Sequence, residues 1–304
     1  MTPTVCYQVH SHRAPGQVER LVRRLAEGTR GGVVLVSHDV GGDPLPVHRL
    51  EQLGDVHVLP AAGGYGDFGH VDRWVDAVRW LTAHGVSYDW MVTLSGQDYP
   101  LLPIPEIERQ LASAGVDGFV ESFPVFGAES HWPMRRARSR YLYRYRRLGA
   151  YAGRGPVRAA LRAARAVDLV QPLVRVNPTY GTVGTRTRTP LGPAFPLYGG
   201  SFWVTLRRRC VEHVVSCYET QPALVAYFRG TLAPEEVYFQ TVLRAAGTFT
   251  LDPDPKRYFD FSGDRARPRL LGMGDLPALR ASGAHFARKF DESHDSDVLD
   301  ALDA

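Results

Sequence analysis

The chain has 304 residues, of which 44% are hydrophobic and 22% are charged, with a net charge of +4. No apolar stretch approaches the roughly 18 residues of a membrane span, and the first residues lack the pattern of a signal peptide. The three cysteines are too few and too scattered for a disulfide framework or a zinc ribbon. We therefore expect a soluble, cytoplasmic globular protein with no membrane partner.

The first part of the chain alternates between predicted strands and predicted helices. Apolar residues recur at helical spacing from Val18 to Leu25 and from Val71 to Leu81. This alternation predicts a parallel sheet with helices on both faces. No GxGxxG or GxxxxGK[ST] motif is present, which disfavours dinucleotide enzymes and P-loop NTPases. The predicted strands are Thr4–Val9, Val33–Ser37, Val56–Leu59, Trp90–Ser95 and Gly118–Glu121.

Two of these strands end in residues that suit ligand binding. LSGQDYP places Ser95 and Asp98 at the end of the fourth strand, and VESFPVF places Glu121 at the end of the fifth. Ligands of open α/β sheets bind beyond the carboxyl ends of the strands. We therefore expect Glu121 to bind hydroxyl groups of a sugar or an acceptor, since an acid at a strand end has no role in the core.

A different composition begins after this sheet. From Arg135 to Arg165 there are 11 arginines and no Asp or Glu. We predict one helix here, Val157–Val170, with loops up to Pro196. Arginine interleaved with tyrosine is also typical of nucleic-acid binding, so a nucleic-acid-binding protein organised around 135–165 is an alternative hypothesis.

Regular patterns return in the last third of the chain. A strand is predicted over GGSFWVTL (199–206), a helix over Arg208–Tyr218, and another from Pro234 through EEVYFQTVLRAAG. The acidic tail after Phe290 is expected to fray. Shorter elements are strands near Phe249, Tyr258–Phe261 and Arg269–Leu271 and a helix over Leu276–Ala281.

The motif APEEVYF has two interpretations. Pro234 followed by Glu235 and Glu236 is the ordinary start of a helix. Alternatively, one of the carboxylates projects into a cleft as a general base, kept ionised by the helix dipole.

The motif HFARKFD also has two interpretations. Arg288 and Lys289 lie beside an apolar anchor, either on a solvated face or as a cationic clamp for a leaving diphosphate. Arg267 and Arg269 are candidates for the same role.

In GGSFW, Ser201 offers a hydroxyl group. Trp203 offers a flat apolar face, which is suited either to packing in the core or to contact with the face of a sugar ring, as a sugar platform. Metal sites are not expected: His10 and His12 merely alternate on a strand end, and Asp252-Pro253-Asp254 is predicted to form a turn.

Taken together, these motifs resemble the core-2/I-branching β-1,6-N-acetylglucosaminyltransferase and peptide O-xylosyltransferase family. The resemblance runs colinearly over most of the chain and misses chiefly residues 125–195. The stretches that carry it are VVLVSHD (33–39), GGYGDFGHVDRWVDAVRWL (63–81), DWMVTLSGQDYPL (89–101), GFVES (118–122), YGGSFWVTLRR (198–208), APEEVYFQTVL (233–243), RYFDF (257–261) and GMGDLPALRASGAHFARKFD (272–291).

The resemblance implies an inverting glycosyltransferase of bacterial type, with a single-domain, GT-A-type, Rossmann-like mixed sheet flanked by helices. It implies a UDP-sugar donor, GlcNAc or xylose, no metal or other cofactor, and an acceptor that is a small molecule, glycan or peptide. Glu236 falls at the catalytic base, in a Glu-Glu pair where the family more usually has Asp-Glu. Nucleotide or diphosphate binding falls to His10, Asp39, Arg267, Arg269, Arg288 and Lys289. Sugar binding falls to Ser95, Asp98, Glu121, Ser201, Trp203 and Glu235.

The implied organisation has four parts. Residues 1–122 form a nucleotide-sugar-binding half, 123–196 an acceptor region, 197–291 a catalytic half with the diphosphate clamp, and 292–304 an acidic tail. A catalytically silent UDP-sugar-binding protein is a further alternative, and nucleic acid is the less favoured partner.

Overall fold

The computed structural model describes residues 3–62, 66–148, 155–190, 195–263 and 267–304. Arg154 and the first three residues of the stretch 63–81 lie outside the described residues, as do the side chains of Val167 and Leu169. The helices are α1 Pro15–Gly28, α2 Val47–Glu51, α3 Gly69–Ala83, α4 Ile104–Ser113, α5 Met134–Tyr141, α6 Gly155–Ala164, α7 Val167–Val170, α8 Arg208–Thr220, α9 Pro222–Arg229, α10 Tyr238–Ala246, α11 Leu276–Ala281 and α12 Asp297–Asp303. The strands are β1 Val5–Ser11, β2 Val33–Asp39, β3 Val56–Ala61, β4 Trp90–Ser95, β5 Asp98–Pro100, β6 Gly118–Phe119, β7 Phe123–Pro124, β8 Tyr143–Arg147, β9 Val174–Asn177, β10 Thr182–Arg186, β11 Tyr198–Gly199, β12 Thr205–Arg207, β13 Leu251–Asp252, β14 Arg257–Phe259 and β15 Phe286–Arg288.

A seven-stranded sheet in the order β13-β6-β12-β4-β1-β2-β3 forms the centre of the molecule. Its strands run parallel except β12, which is antiparallel to both β4 and β6. The register sets His10 of β1 beside Ser37 of β2 and Ser95 of β4. Polar residues at the carboxyl ends of three neighbouring strands therefore meet at one edge of the sheet.

Helices cover both faces of this sheet. Val5 and Val9 of β1 pack with the apolar face of α1, whereas Cys6 and Leu35 pack with α3 in a separate cluster. This alternation follows from the two-residue period of a strand, and it explains why the helical spacing of α1 and α3 was readable in the sequence. The predicted fold class, a mixed sheet flanked by helices in one domain, is confirmed.

The segment 123–196, called the insert below, is more ordered than predicted. It contains an antiparallel sheet of β8, β10 and β9. In β8 the rings of Tyr143 and Tyr145 are buried, while the arginines between and after them are exposed. The sequence therefore does contain the two-residue alternation of a strand, but only over these few residues. The single helix predicted over Val157–Val170 is two helices, α6 and α7.

The last third departs from prediction in four places. The predicted strand 199–206 is interrupted: Gly199 ends β11, β12 begins at Thr205, and residues 200–204 between them are not in a strand. The predicted helix from Pro234 begins as a separate 3-10 turn, Pro234–Glu236, and α10 starts only after Val237, whose φ of −138° interrupts the helix. Neither Phe249 nor Arg269–Leu271 lies in a strand.

The acidic tail does not fray, contrary to prediction. It forms α12, in which Val298 and Leu299 are fully buried. Arg20 of α1 donates to Asp303 Oδ2 at 2.6 Å, and the Tyr99 hydroxyl donates to Asp303 Oδ1 at 2.6 Å. No helix within the described ranges is long and apolar enough to cross a membrane.

Candidate active site

A cleft of about 2590 Å³ opens at the carboxyl edge of β1, β2 and β4 and is bordered by the insert. Its wall includes eleven of the thirteen predicted site residues, so the fold gathers side chains that are up to 279 positions apart, from His10 to Lys289. They are His10, Asp39, Ser95, Glu121, Ser201, Trp203, Glu235, Glu236, Arg267, Arg288 and Lys289.

Gly200 fixes the backbone at the centre of this wall. Its N–H donates to the Glu236 carbonyl at 2.9 Å, and a Cβ at this position would lie 1.9 Å from the Glu121 carbonyl oxygen. The next carbonyl, that of Ser201, accepts from the Gln240 side chain at 2.6 Å. The backbones of Glu121, Gly200 and Glu236 are therefore held in one close arrangement that only glycine permits.

Glu236 is held by an arginine of the insert. Arg140 Nη1 donates to Glu236 Oε2 at 2.5 Å, and the two side chains are 10% and 33% exposed. Burial lowers the pKa of Arg140, but the charge and hydrogen bond of Glu236 together with Tyr141 and Tyr180 outweigh burial, so the net pKa is raised. Arg140 was not predicted as a site residue because nothing in the sequence distinguishes it from its arginine neighbours.

Glu235 differs from Glu236 in its surroundings. Its Oε2 atom is buried and has no hydrogen-bond partner among the described residues. Burial, reinforced by the negative charge of Glu236, raises the pKa of Glu235 to about 8. At pH 7 Glu235 therefore mostly holds a proton, whereas Glu236 forms an ion pair with Arg140.

Glu121 faces the same cleft from the end of the predicted fifth strand. Burial raises the pKa of Glu121, while His131, whose Nδ1 lies 3.9 Å from Glu121 Oε1, opposes this shift. Its carboxyl group is therefore suited to accept or share hydrogen bonds with hydroxyl groups in the cleft.

Cationic side chains line the same cleft. Lys289 is half-buried, and burial together with the charges of Arg288 and Arg267 lowers its pKa to about 8. Arg288 is only 6% exposed, and its guanidinium carbon lies 4.1 Å from the ring centroid of Trp203. One face of Trp203, the predicted sugar platform, is thus covered by this arginine.

Two predicted site residues lie elsewhere. Asp98 is fully buried, and its Oδ2 accepts from the N–H and the hydroxyl of Ser95, at 2.5 Å each. The carboxylate therefore fixes the turn after β4. It does not line the cleft, so it is not placed to contact a sugar there. Arg269 forms ion pairs with Asp260 and Asp275 and also lies off the cleft wall, so its guanidinium is not placed for a diphosphate.

The Asp252-Pro253-Asp254 stretch forms the turn that was predicted. Asp252 Oδ1 accepts from the Asp254 N–H at 2.9 Å, and Asp254 Oδ2 accepts from Lys256 Nζ at 2.7 Å.

Sequence reasoning also missed three basic residues in the cleft wall: His70, which is partly buried, and Arg73 and Arg257, which are buried. Burial and the charge of Arg73 lower the pKa of His70 to about 3, and burial lowers the pKa of Arg257 to about 10. The pKa of His10 is also far below its ordinary value because of burial and of its neighbours His70 and Arg73. The helical spacing gave no signal for Arg73, because this residue falls off the apolar face predicted between Val71 and Leu81.

The same cleft thus holds two adjacent acids and several buried cations. Residues 156–270 of the chain match the family model described as Core-2/I-Branching enzyme. This match agrees with the family that the sequence resembles, although the matched range includes residues 156–195, which we expected to fall outside the resemblance.

Three proteins similar to this chain are β-glucuronosyltransferases of Arabidopsis thaliana. GlcAT14B is 25% identical over 230 residues, which cover 74% of this chain and 45% of the relative. GlcAT14A is 26% identical, with 73% and 44% covered, and GlcAT14C is 26% identical, with 73% and 52% covered. The chain thus spans about half of the length of these relatives.

Among solved structures, a cytidylyltransferase from Leptospira borgpetersenii aligns over 40% of this chain and 54% of its own. Its TM-score of 0.27 and 18% identity are too low to bear on the fold or the function.

Proposed function

We propose that this chain is an inverting glycosyltransferase that moves a sugar from a UDP-sugar donor to an acceptor hydroxyl. The observation that supports it most is that one cleft wall contains both Glu236, in an ion pair with Arg140, and the cations Lys289 and Arg288. In a chain that matches the Core-2/I-branching model, these are the groups that a single displacement needs.

In the proposed reaction Glu236 accepts the proton of the acceptor hydroxyl. The acceptor oxygen then bonds to the anomeric carbon as the bond from that carbon to the diphosphate oxygen breaks, which inverts the configuration. Lys289 and Arg288 stabilise the negative charge that grows on the departing diphosphate. In this proposal the cations of the chain take the role that a metal ion has in metal-dependent glycosyltransferases.

The two adjacent acids are given different roles. A general base must be deprotonated, and the raised pKa of Glu235 keeps that carboxyl group mostly protonated at pH 7. Glu235 is therefore proposed to donate a hydrogen bond to a sugar hydroxyl, and Glu236 to be the base.

The donor sugar is proposed on two grounds. The sequence resemblance favours GlcNAc or xylose, whereas the names of the three relatives point to glucuronic acid. The buried cations Arg73 and Arg257 would suit a uronic acid carboxylate, so UDP-glucuronic acid is a second candidate.

Substitution of the two acids tests the mechanism. Glu236→Gln is expected to lower kcat by about a thousandfold, the range of general-base catalysis, while the donor Kd stays within about threefold. Glu235→Gln is the matched control: it replaces a carboxyl group that is already mostly neutral at pH 7, so kcat should fall by less than about tenfold. Turnover that survives in Glu236→Gln, or that a chelator abolishes in the unaltered protein, would refute this mechanism.

A thermal-shift screen identifies the donor. UDP-GlcNAc, UDP-xylose, UDP-glucuronic acid and UDP alone are compared at equal concentration, because a ligand that binds only the folded state raises Tm, and a tighter ligand raises it further. We expect one UDP-sugar to raise Tm more than UDP. Stabilisation without turnover on any acceptor would instead indicate a silent UDP-sugar-binding protein.

A further inference from the structure

Six arginines of the insert line the cleft without forming an ion pair or a side-chain hydrogen bond in the described part of the chain. They come from α5, from α6 and the turn after it, and from β10, and they are called the arginine wall. The arginine wall consists of Arg135, Arg136, Arg138, Arg162, Arg165 and Arg186.

Acidic side chains do not balance the arginine wall. The acid of the insert that lines the cleft is Asp168, whose Oδ1 accepts from the Val176 backbone N–H at 3.0 Å. Glu236 is already paired with Arg140. Since most protein surfaces intersperse charges of both signs, six unpaired guanidinium groups on one side of a cleft create a local positive potential that attracts anions.

The arginine wall begins next to the proposed base. Arg136 and Arg140 are four positions apart on α5, so both lie on the same side of that helix. Because Arg140 bonds to Glu236, an anion bound to the wall places its neighbouring groups close to the base. This position favours the acceptor over the donor diphosphate, for which Lys289 and Arg288 lie on a different element.

The two tyrosines of β8 do not form a stacking surface for nucleic-acid bases. Tyr143 and Tyr145 are buried, and their hydroxyls donate to the carbonyls of Pro172 and Ser139 at 2.6 Å each. Binding of single-stranded nucleic acid relies on exposed aromatic rings as well as on positive charge. The arginine-tyrosine pattern thus separates into a buried aromatic layer and exposed cations.

We infer that the acceptor is an acidic oligosaccharide whose anionic groups bind to the arginine wall while one of its hydroxyls reaches Glu236. Guanidinium groups bind carboxylate and sulfate oxygens in the same two-pronged geometry, so a uronic acid and a sulfated sugar share the required chemistry. The inference rests on the proposed function, because it names the substrate that the transferase acts on.

Binding of defined trisaccharides tests the inference independently of transfer. Trigalacturonic acid, sulfated galactotriose and neutral galactotriose are titrated into the full chain by calorimetry at 50 and 300 mM salt. We expect the acidic trisaccharides to bind at least tenfold more tightly than galactotriose, with weaker binding at the higher salt. The tighter of the two acidic ligands identifies the carboxylate or the sulfate as the natural group.

A pair of charge-matched variants locates the binding. Arg162→Glu/Arg165→Glu reverses two charges of the arginine wall. Arg146→Glu/Arg158→Glu reverses two exposed arginines of the same insert that do not line the cleft. The first variant should weaken binding of the acidic trisaccharides at least tenfold, and the second should change it less than twofold.

Three results would overturn the inference: equal losses in both variants, acidic trisaccharides that bind no better than galactotriose, or a DNA 12-mer or glutamate-rich peptide that binds more tightly. If the acidic trisaccharides bind to the wall but receive no sugar from any donor, the proposed function fails while anion binding by the wall stands.

Discussion

The strands packed beside the central sheet and the insert differ in how they hold charged side chains near the cleft. Asp98 of β5 accepts hydrogen bonds from Ser95, and Arg257 of β14 is buried near the Thr93 carbonyl and the Thr205 hydroxyl, at 3.4 Å each. In the insert, the arginine wall has no partner within the described residues. Internal partners fix a side chain before any ligand arrives, whereas unpaired charged side chains remain available to bind a ligand. This contrast fits the proposed function, in which fixed side chains bind the donor and the unpaired arginines bind the acceptor.

The largest expected effect comes from breaking the rigid side of this comparison at Gly200. In Gly200→Ala the new Cβ would overlap the Glu121 carbonyl, so the backbone must shift. We expect the free energy of unfolding to fall by about 3 kcal/mol, the upper range for overpacking, with loss of transfer. Gly115→Ala is the control, because nothing lies within 4 Å of its Cβ position. Urea unfolding of both variants measures the difference; equal stabilities would contradict the proposed rigidity.

A smaller effect is expected at Lys289, a cation of the cleft wall. Lys289→Met removes a charge proposed to stabilise the leaving diphosphate, so kcat should fall about a hundredfold, as when one preorganised stabilising group is removed. The chain has two lysines, and Lys256→Met is the matched control because Lys256 pairs with Asp254 away from the cleft. Steady-state kinetics with saturating donor compares them; equal kcat values in the two variants would rule out this role.

The lowered pKa of Lys289 predicts a pH dependence of donor binding. Because its pKa is about 8, the ammonium is charged below pH 8 and is neutralised above it, so donor affinity should decline between pH 8 and 9. Lys289→Arg should remove most of this decline, since a guanidinium keeps its proton in that range. The measurement is donor Kd against pH in both proteins; superimposable curves would assign the decline to another group.

The smallest expected effect lies within the framework, far from the cleft. Asp303→Asn weakens the contacts of α12 with Arg20 and Tyr99, and should lower the free energy of unfolding by about 1 kcal/mol. Asp300→Asn removes a more exposed contact to the same arginine and should cost less than about 0.5 kcal/mol. Transfer should be unchanged in both. Thermal unfolding checks whether Asp303→Asn is the more destabilised of the two variants. If neither variant loses stability, the tail frays as the sequence predicted.

The framework was predictable because its determinants are local. Buried parallel strands are continuous apolar runs, and α1 and α3 keep their apolar faces at helical spacing. The insert was less predictable because only Tyr143 and Tyr145 mark the alternation of β8, and the arginines around them suggested an unstructured or nucleic-acid-binding segment.

The site was predictable by type but not in its pairings. Glu236 and Lys289 were expected at the site from the family resemblance, and both line the cleft, yet the ion pair of Glu236 with Arg140 joins positions 96 residues apart. Asp98 was expected at a sugar because its strand end was readable, while the pairing of β5 with β15 that buries it was not. Val237 ends the 3-10 turn by a backbone angle that the sequence pattern of a helix start does not reveal.

The bond from Arg140 to Glu236 has a consequence for how such enzymes diversify. The backbone that carries Glu236 is held by Gly200 and Glu121, outside the insert. The insert also holds the chain just before Glu236, because the Tyr141 hydroxyl donates to the Ala233 carbonyl and the Leu232 N–H donates to the Arg140 carbonyl, at 3.4 Å each. If the insert selects the acceptor, as proposed, the part to exchange between homologues is therefore 155–186, with α5 kept. Such a chimera should inherit the acceptor of the transplanted segment and the donor of the host.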